Sequence, residues 1–385
     1  MSQEEQPQIK FNPPNDPPAL PRNESTVQAI LQDPTTTSTS KIDALAQARG
    51  WCRPDPENHS TLTAYLAGTL SAKETAEILA TPIEENYMSA DAGALFWEME
   101  STARACRPLC SAEEVEEFWG EPVAMCEPDP VLRRQGRSTT EGGLGRLWLG
   151  LVHASRETEW SGDDDGEGQM MKLVRFVQTL KGRPDPPLPA GATPALLNNW
   201  VYQTGGLWSD LTLLGPNVRE SWNDAPGGTM GFSELEVKAW ERENAFVALL
   251  TVTGTADFLN YGVWAMRDAL EGGIAQMRQL RCTPEFKAEL LEVTLGVVGV
   301  WLSIAGEEFY YRRSDETVED VAVVDSGVLS AWRSSSEVSD ARWRFWKRRL
   351  AKFAQDGKVS ALSRSHAVRA GEEMRRIEEA HDELQ

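Results

Sequence analysis

Histidine is scarce in this chain, at four in 385 residues, and His59, His153, His366 and His381 include no two spaced i, i+4. The paired-histidine helix of a metal site is therefore not signalled, and nothing local marks a Ser-His-Asp arrangement. Cysteine is also little used, at five. An odd number in a long chain does not make a disulfide framework, so the expectation is a reducing, intracellular location, cytoplasmic or nuclear. Cys106 and Cys110, with Cys126, come nearest to a thiolate cluster, but no second pair or neighbouring histidine completes four ligands.

Other absences narrow the field further. There is no Gly-x-x-x-x-Gly-Lys-Ser/Thr phosphate loop, no Gly-x-Gly-x-x-Gly after a strand and no Gly-x-Ser-x-Gly elbow. No catalytic residue, metal ligand or cofactor is assigned. The first thirty residues lack the apolar core of a signal peptide. The longest strongly apolar run, Val293 to Ala305, falls short of the ~20 residues that span a bilayer, so it is expected to be a buried helix segment. The acidic loop from Gly162 to Gly168 has adjacent aspartates but lacks the distal glutamate of a calcium loop.

What is present is acid and tryptophan. Lys and Arg number 38 against 59 Asp and Glu, a formal net charge of −21, while 41% of residues are apolar and 14 are Trp. Such a surface repels phosphate backbones and anionic membranes, so nucleic acid is not an expected partner, and protein partners are.

Residues 1–39, rich in Pro, Gln, Asn and Thr, have little to bury and are expected to be a disordered tail. From residue 40 to 385 the pattern is helical. Ser71 and Glu74 have capping-box spacing, and Met170, Leu173, Val174, Val177 and Leu180 lie on one face. Thr283-Pro284-Glu285 combines a capping hydroxyl, a first-turn proline and a first-turn acid. Helices are also expected over 89–105, from 111 and over 318–332, and Ser334 to Glu337 offers a further cap. The proline run 183–189 is a connector and a candidate domain joint near 182–192. No strand pattern recurs, so the expected class is all-α, a single compact multi-helix domain after the tail. The basic run Arg342 to Arg349 carries an apolar stripe and is expected to be a core helix whose charges offset the acidic remainder, the alternative being a basic amphipathic helix that meets an acidic partner, a membrane surface or nucleic acid.

The stretch from Trp208 to Glu271 places polar and aromatic residues where a structural helix pair would carry aliphatics. Helices over 235–251 and 256–271, turning near Gly254, would form an antiparallel pair in which Trp240, Asn244, Phe246 and Ala248 face Trp264. Arg267 and Glu271 are spaced to pair. Two readings follow. In the first, Arg219, Glu241, Asn244, Arg267, Asp268 and Glu271 form a structural polar network. In the second, Arg219 or Arg267 holds an anionic ligand between walls of Trp208, Trp222, Trp240 and Trp264. Glu241 and Asp268 as an acid-base pair is a third arrangement.

The words Leu207-Trp208-Ser-Asp-Leu-Thr-Leu-Leu-Gly215-Pro-Asn-Val-Arg219-Glu-Ser-Trp222-Asn223, Trp240-x-x-x-Asn244-Ala-Phe246-Val-Ala and Tyr261-Gly-Val-Trp264-Ala-Met-Arg267-Asp268-Ala-Leu-Glu271 resemble the signature of a fungal family of unknown function, number 3632. The resemblance implies a fungal source and an intracellular helical protein, and no established activity. Three function classes are carried forward. A non-catalytic interaction or scaffold protein leads, a binder of a small anionic or aromatic ligand follows, and an enzyme with a site assembled across helices is third.

Overall fold

Each helix starts where the chain supplies an acceptor for its exposed amides. The computed structural model describes residues 24–51, 55–89, 139–160, 168–192, 197, 200–203, 206–272, 283–314, 332 and 335–383. Among these residues there are thirteen α-helices and no strand. They are α1 (Glu24–Gln32), α2 (Ser38–Arg49), α3 (Pro56–Leu66), α4 (Ala72–Met88), α5 (Thr140–Glu157), α6 (Gln169–Lys181), α7 (Trp200–Gln203), α8 (Leu214–Ser221), α9 (Glu234–Val252), α10 (Leu259–Leu270), α11 (Pro284–Tyr311), α12 (Asp340–Gln355) and α13 (Ala361–Asp382). The protein is all-α, as expected.

The capping signals act as the sequence predicts. The Ser71 and Glu74 box opens α4, and Thr283 caps α11 with Pro284 in its first turn. An unforeseen second box, Ser233 with Glu236, opens α9. Other boundaries differ. Residues 1–23 lie outside the described residues, but Glu24–Gln32, inside the stretch assigned to the tail, is helical and buries Val27. Val27, Ile30 and Leu31 share a helical face that the surrounding proline and threonine obscured. Asp55 caps α3, and Pro56 begins that helix. Ser339, rather than Ser334 to Glu337, caps α12. The expected helices over 89–105, from 111 and over 318–332 lie, apart from Ser89 and Trp332, outside the described residues, as do all five cysteines.

One continuous apolar cluster runs from Val27 on α1 to Ile377 on α13. Helix α5 gathers α2, α3, α4, α8 and α9 around it, and α11 gathers α9, α10 and α13. Helix α9 thus belongs to both groups and is buried nearly all round. Helix α11 is long and apolar enough to cross a membrane by composition, yet its Val298, Trp301, Leu302, Ala305 and Phe309 face other helices. Close approach needs glycine at two contacts. A Cβ on Gly262 of α10 would lie 2.5 Å from Trp301 and Phe309, and one on Gly306 of α11 would lie 2.5 Å from Ile377.

The antiparallel pairing of α9 with α10 is only part of the packing, because α9 is wedged between α5 and α11 while α10 rests chiefly on α11. The connector 182–192 is tied at two points. Arg183 holds Glu84 at 2.9 Å and Glu77 at 3.0 Å, and Asp185 accepts from the Trp208 amide at 2.6 Å.

Candidate functional site

Helix α9 carries Glu236 and Glu243 seven residues apart, on one face, and each meets an arginine from the α5 side of the fold. Arg49 of α2 donates to Glu236 at 2.8 Å, and the Gly231 amide donates to the same carboxylate at 2.9 Å. Arg156 of α5, wholly buried, donates through Nε to Glu243 at 2.8 Å and through Nη2 to Asp224 at 3.0 Å. Ser221 donates to Glu243 at 2.5 Å and Thr229 to Asp224 at 2.9 Å. Burial pushes the Glu243 carboxyl above its ordinary value against the pull of Arg156. A third centre joins α12 to the end of α10. Arg342 grips Glu271 with two bonds, at 2.6 and 3.1 Å, and Trp346 adds an indole donor at 2.7 Å.

The residues singled out from the sequence divide among several places. Asn244 is buried, donates to the Trp240 carbonyl at 2.9 Å and accepts from the Trp301 indole at 2.9 Å, so it locks α9 to α11. Glu271 is taken by Arg342, and this replaces the expected pairing with Arg267, which lies 3.4 Å from Asp268. The i, i+4 rule failed there because α10 ends at Leu270, leaving Glu271 as its inward-turned cap. Trp222 meets Trp240 at 4.9 Å between ring centroids and Tyr261 at 4.6 Å, and Tyr261 meets Trp264 at 4.7 Å. Trp208 stands apart from these, packed edge-on against Trp148 and donating to Glu84 at 2.8 Å. Arg219 and Asp268 are exposed, and Glu241 is half-buried, its carboxyl pushed up by desolvation.

None of the ten singled-out residues lines either of two clefts among the described residues. One, of about 360 Å³, lies between Lys181, Asp210, Leu211, Thr255 and Phe258, and the other, of about 620 Å³, lies around Asp257, Asn260, Arg312 and Glu337. The first borders a strained turn, in which Leu211 and Leu213 hold φ of 48° and 65°. Asp185, the Trp148 indole and the Thr212 hydroxyl pin that turn in place.

A fourth cluster holds polar atoms that are not satisfied. His153 and Glu157 of α5 meet His59 of α3 and Asp43 of α2. His59 Nε2 is 2.8 Å from Glu157 Oε2, and His153 Nε2 is 3.5 Å from both Glu157 Oε1 and Asp43 Oδ1. Sequence reasoning sought histidine four residues from histidine and passed over His153-x-x-x-Glu157, which has the same spacing with a carboxylate. It also missed Arg49, Arg156, Asp224, Glu236 and Glu243 as site residues. The seven-residue repeat of acids on an apolar helix was the available signal.

The fold and its centre define an all-helical protein whose middle helix is anchored by buried arginine-carboxylate pairs. The chain belongs to the family described as protein of unknown function (DUF3632), whose model matches residues 148–350, from α5 to α12. Comparison with curated proteins and with solved structures gives no match.

Proposed function

We propose that the chain acts as a non-catalytic interaction protein, an acidic helical scaffold that meets a basic protein partner. The carrying observation is that the polar residues of the centre are already bonded to one another. Arg49, Arg156 and Arg342 face Glu236, Glu243, Asp224 and Glu271, three cations against four anions. The net charge of −21 therefore lies almost entirely outside these pairs. Capture of the full chain from native lysate is expected to return a stoichiometric partner that is released as salt is raised. Repeated captures without a partner would sink this reading.

A second reading is supported by the half-exposed Trp222 and Trp264, joined through Tyr261, whose phenol pKa is raised by burial against the pull of the nearby Arg219. An aromatic or anionic ligand seated there would give a thermal shift lost in folded Arg219→Ala and Arg267→Ala proteins. A shift unchanged in both variants would remove it.

A further inference from the structure

The geometry points to a divalent metal site of zinc type formed by His59, His153 and Glu157, with Asp43 as the fourth ligand. The ligand atoms of His59, His153 and Glu157 all lie within 4.8 Å of one another, while Asp43, outside that set, is 3.5 Å from His153 Nε2 and turns in from the exposed rim as the fourth ligand. Around a zinc ion bound at ~2.0–2.2 Å, tetrahedral ligands stand about 3.3–3.6 Å apart. The 3.5 Å separations of His153 Nε2 from Glu157 and from Asp43 match that spacing, and the 2.8 Å contact between His59 and Glu157 opens by several tenths of an ångström.

The second observation is independent of spacing. His153 is wholly buried, and neither of its ring nitrogens has a hydrogen-bond partner, nor does the buried Glu157 Oε1. Buried polar atoms of this kind are rare in folded proteins and mark a missing partner. A cation supplies that partner for Nε2 and Oε1 together, where a proton between His59 and Glu157 serves neither.

The donor set selects the ion. Two imidazoles and two carboxylates give an N₂O₂ shell that neutralises a dication, which suits zinc and not the all-oxygen shells of magnesium or calcium. Helix geometry holds it open, because His153 and Glu157 stand i, i+4 on α5. His59 and Asp43 come from α3 and α2, so the ion would clamp three helices. Entry is from the rim, where the side chains of His59 and Asp43 are 28% and 51% exposed. The site draws His153 and Glu157 from within the family match and His59 and Asp43 from before it.

The test titrates the chelator-stripped full chain with zinc and counts bound metal by elemental analysis, then repeats the titration with cobalt(II). The expected result is one equivalent per chain, with the intense visible bands of four-coordinate cobalt in a nitrogen and oxygen shell. His59→Asn, at the rim, is expected to lose the equivalent while keeping its far-UV circular dichroism, as is Glu157→Gln. Should Glu157→Gln fail to fold, His59→Asn carries the comparison alone. The proposal is overturned if the folded wild-type chain takes up no stoichiometric zinc or cobalt, or if folded His59→Asn keeps the equivalent. A cobalt spectrum dominated by thiolate charge transfer would also overturn it, by placing the ion on cysteine.

Discussion

His153 and Arg156 stand three residues apart on α5, both wholly buried, and they differ in how far their polar atoms are bonded. Arg156 meets two carboxylates, and those carboxylates meet Ser221 and Thr229 in turn. His153 meets Glu157 and Asp43 at 3.5 Å and bonds to neither. A buried charge held by two carboxylates belongs to the structure even though Arg156 Nη1 has no hydrogen-bond partner, because removing the cation strands both acids. A buried base without a bond is stable only where packing forces it or where another species completes it. The difference separates a structural lock from a candidate site more sharply than residue type does, since both centres are rich in titratable groups.

The comparison is most exposed at Arg156. Arg156→Ala leaves Glu243 and Asp224 buried without their cation, and the expected loss of stability is about 3–5 kcal/mol, measured by urea unfolding. A loss below 1 kcal/mol would mean that the pair is not a lock. The contrast is His153→Leu in chelator, which replaces an unbonded base with an apolar group of comparable size. It is expected to change stability by less than about 1.5 kcal/mol. If it costs as much as Arg156→Ala, the contrast between the two centres disappears.

The smallest effect is expected at Asp185, a partly exposed carboxylate. Burial works to raise its pKa, but bonds from the Ser209 hydroxyl and from the Trp208 and Ser209 amides together hold it below the ordinary value of 3.8. A lowered folded pKa contributes stability that is present above the unfolded value and lost as pH falls through the folded one. The stability difference between wild type and Asp185→Asn should therefore shrink as pH drops below the ordinary aspartate range. An unchanged difference down to strongly acid pH would show that Asp185 does not anchor the strained turn.

Much of the fold was legible from local chemistry. Ser71 with Glu74 and Thr283 with Pro284 start helices for reasons that involve only their own neighbours. The left-handed Gly50 at φ 78° likewise ends α2 as a helix-stopping glycine should. The centre was legible in composition and not in pairing. Asn244 stands out as a polar residue on an apolar helix, yet its partner Trp301 is 57 residues away. Glu271 stands out too, but its partner Arg342 sits in a basic run 71 residues on, where it looks like one of several surface charges.

The sequence by itself determined that this protein is helical, where helices such as α4 and α11 begin, and that its middle segment is rich in polar and aromatic residues. Those properties depend on interactions within a few residues, which periodicity and capping record directly. Only the tertiary structure decided which charges meet: that Glu236 and Glu243 face Arg49 and Arg156, that Glu271 answers Arg342 and not Arg267, and that His59, His153, Glu157 and Asp43 converge. These contacts join helices distant in the chain. Their pairing is set by how α9 wedges between α5 and α11, a packing outcome that no local window of sequence contains.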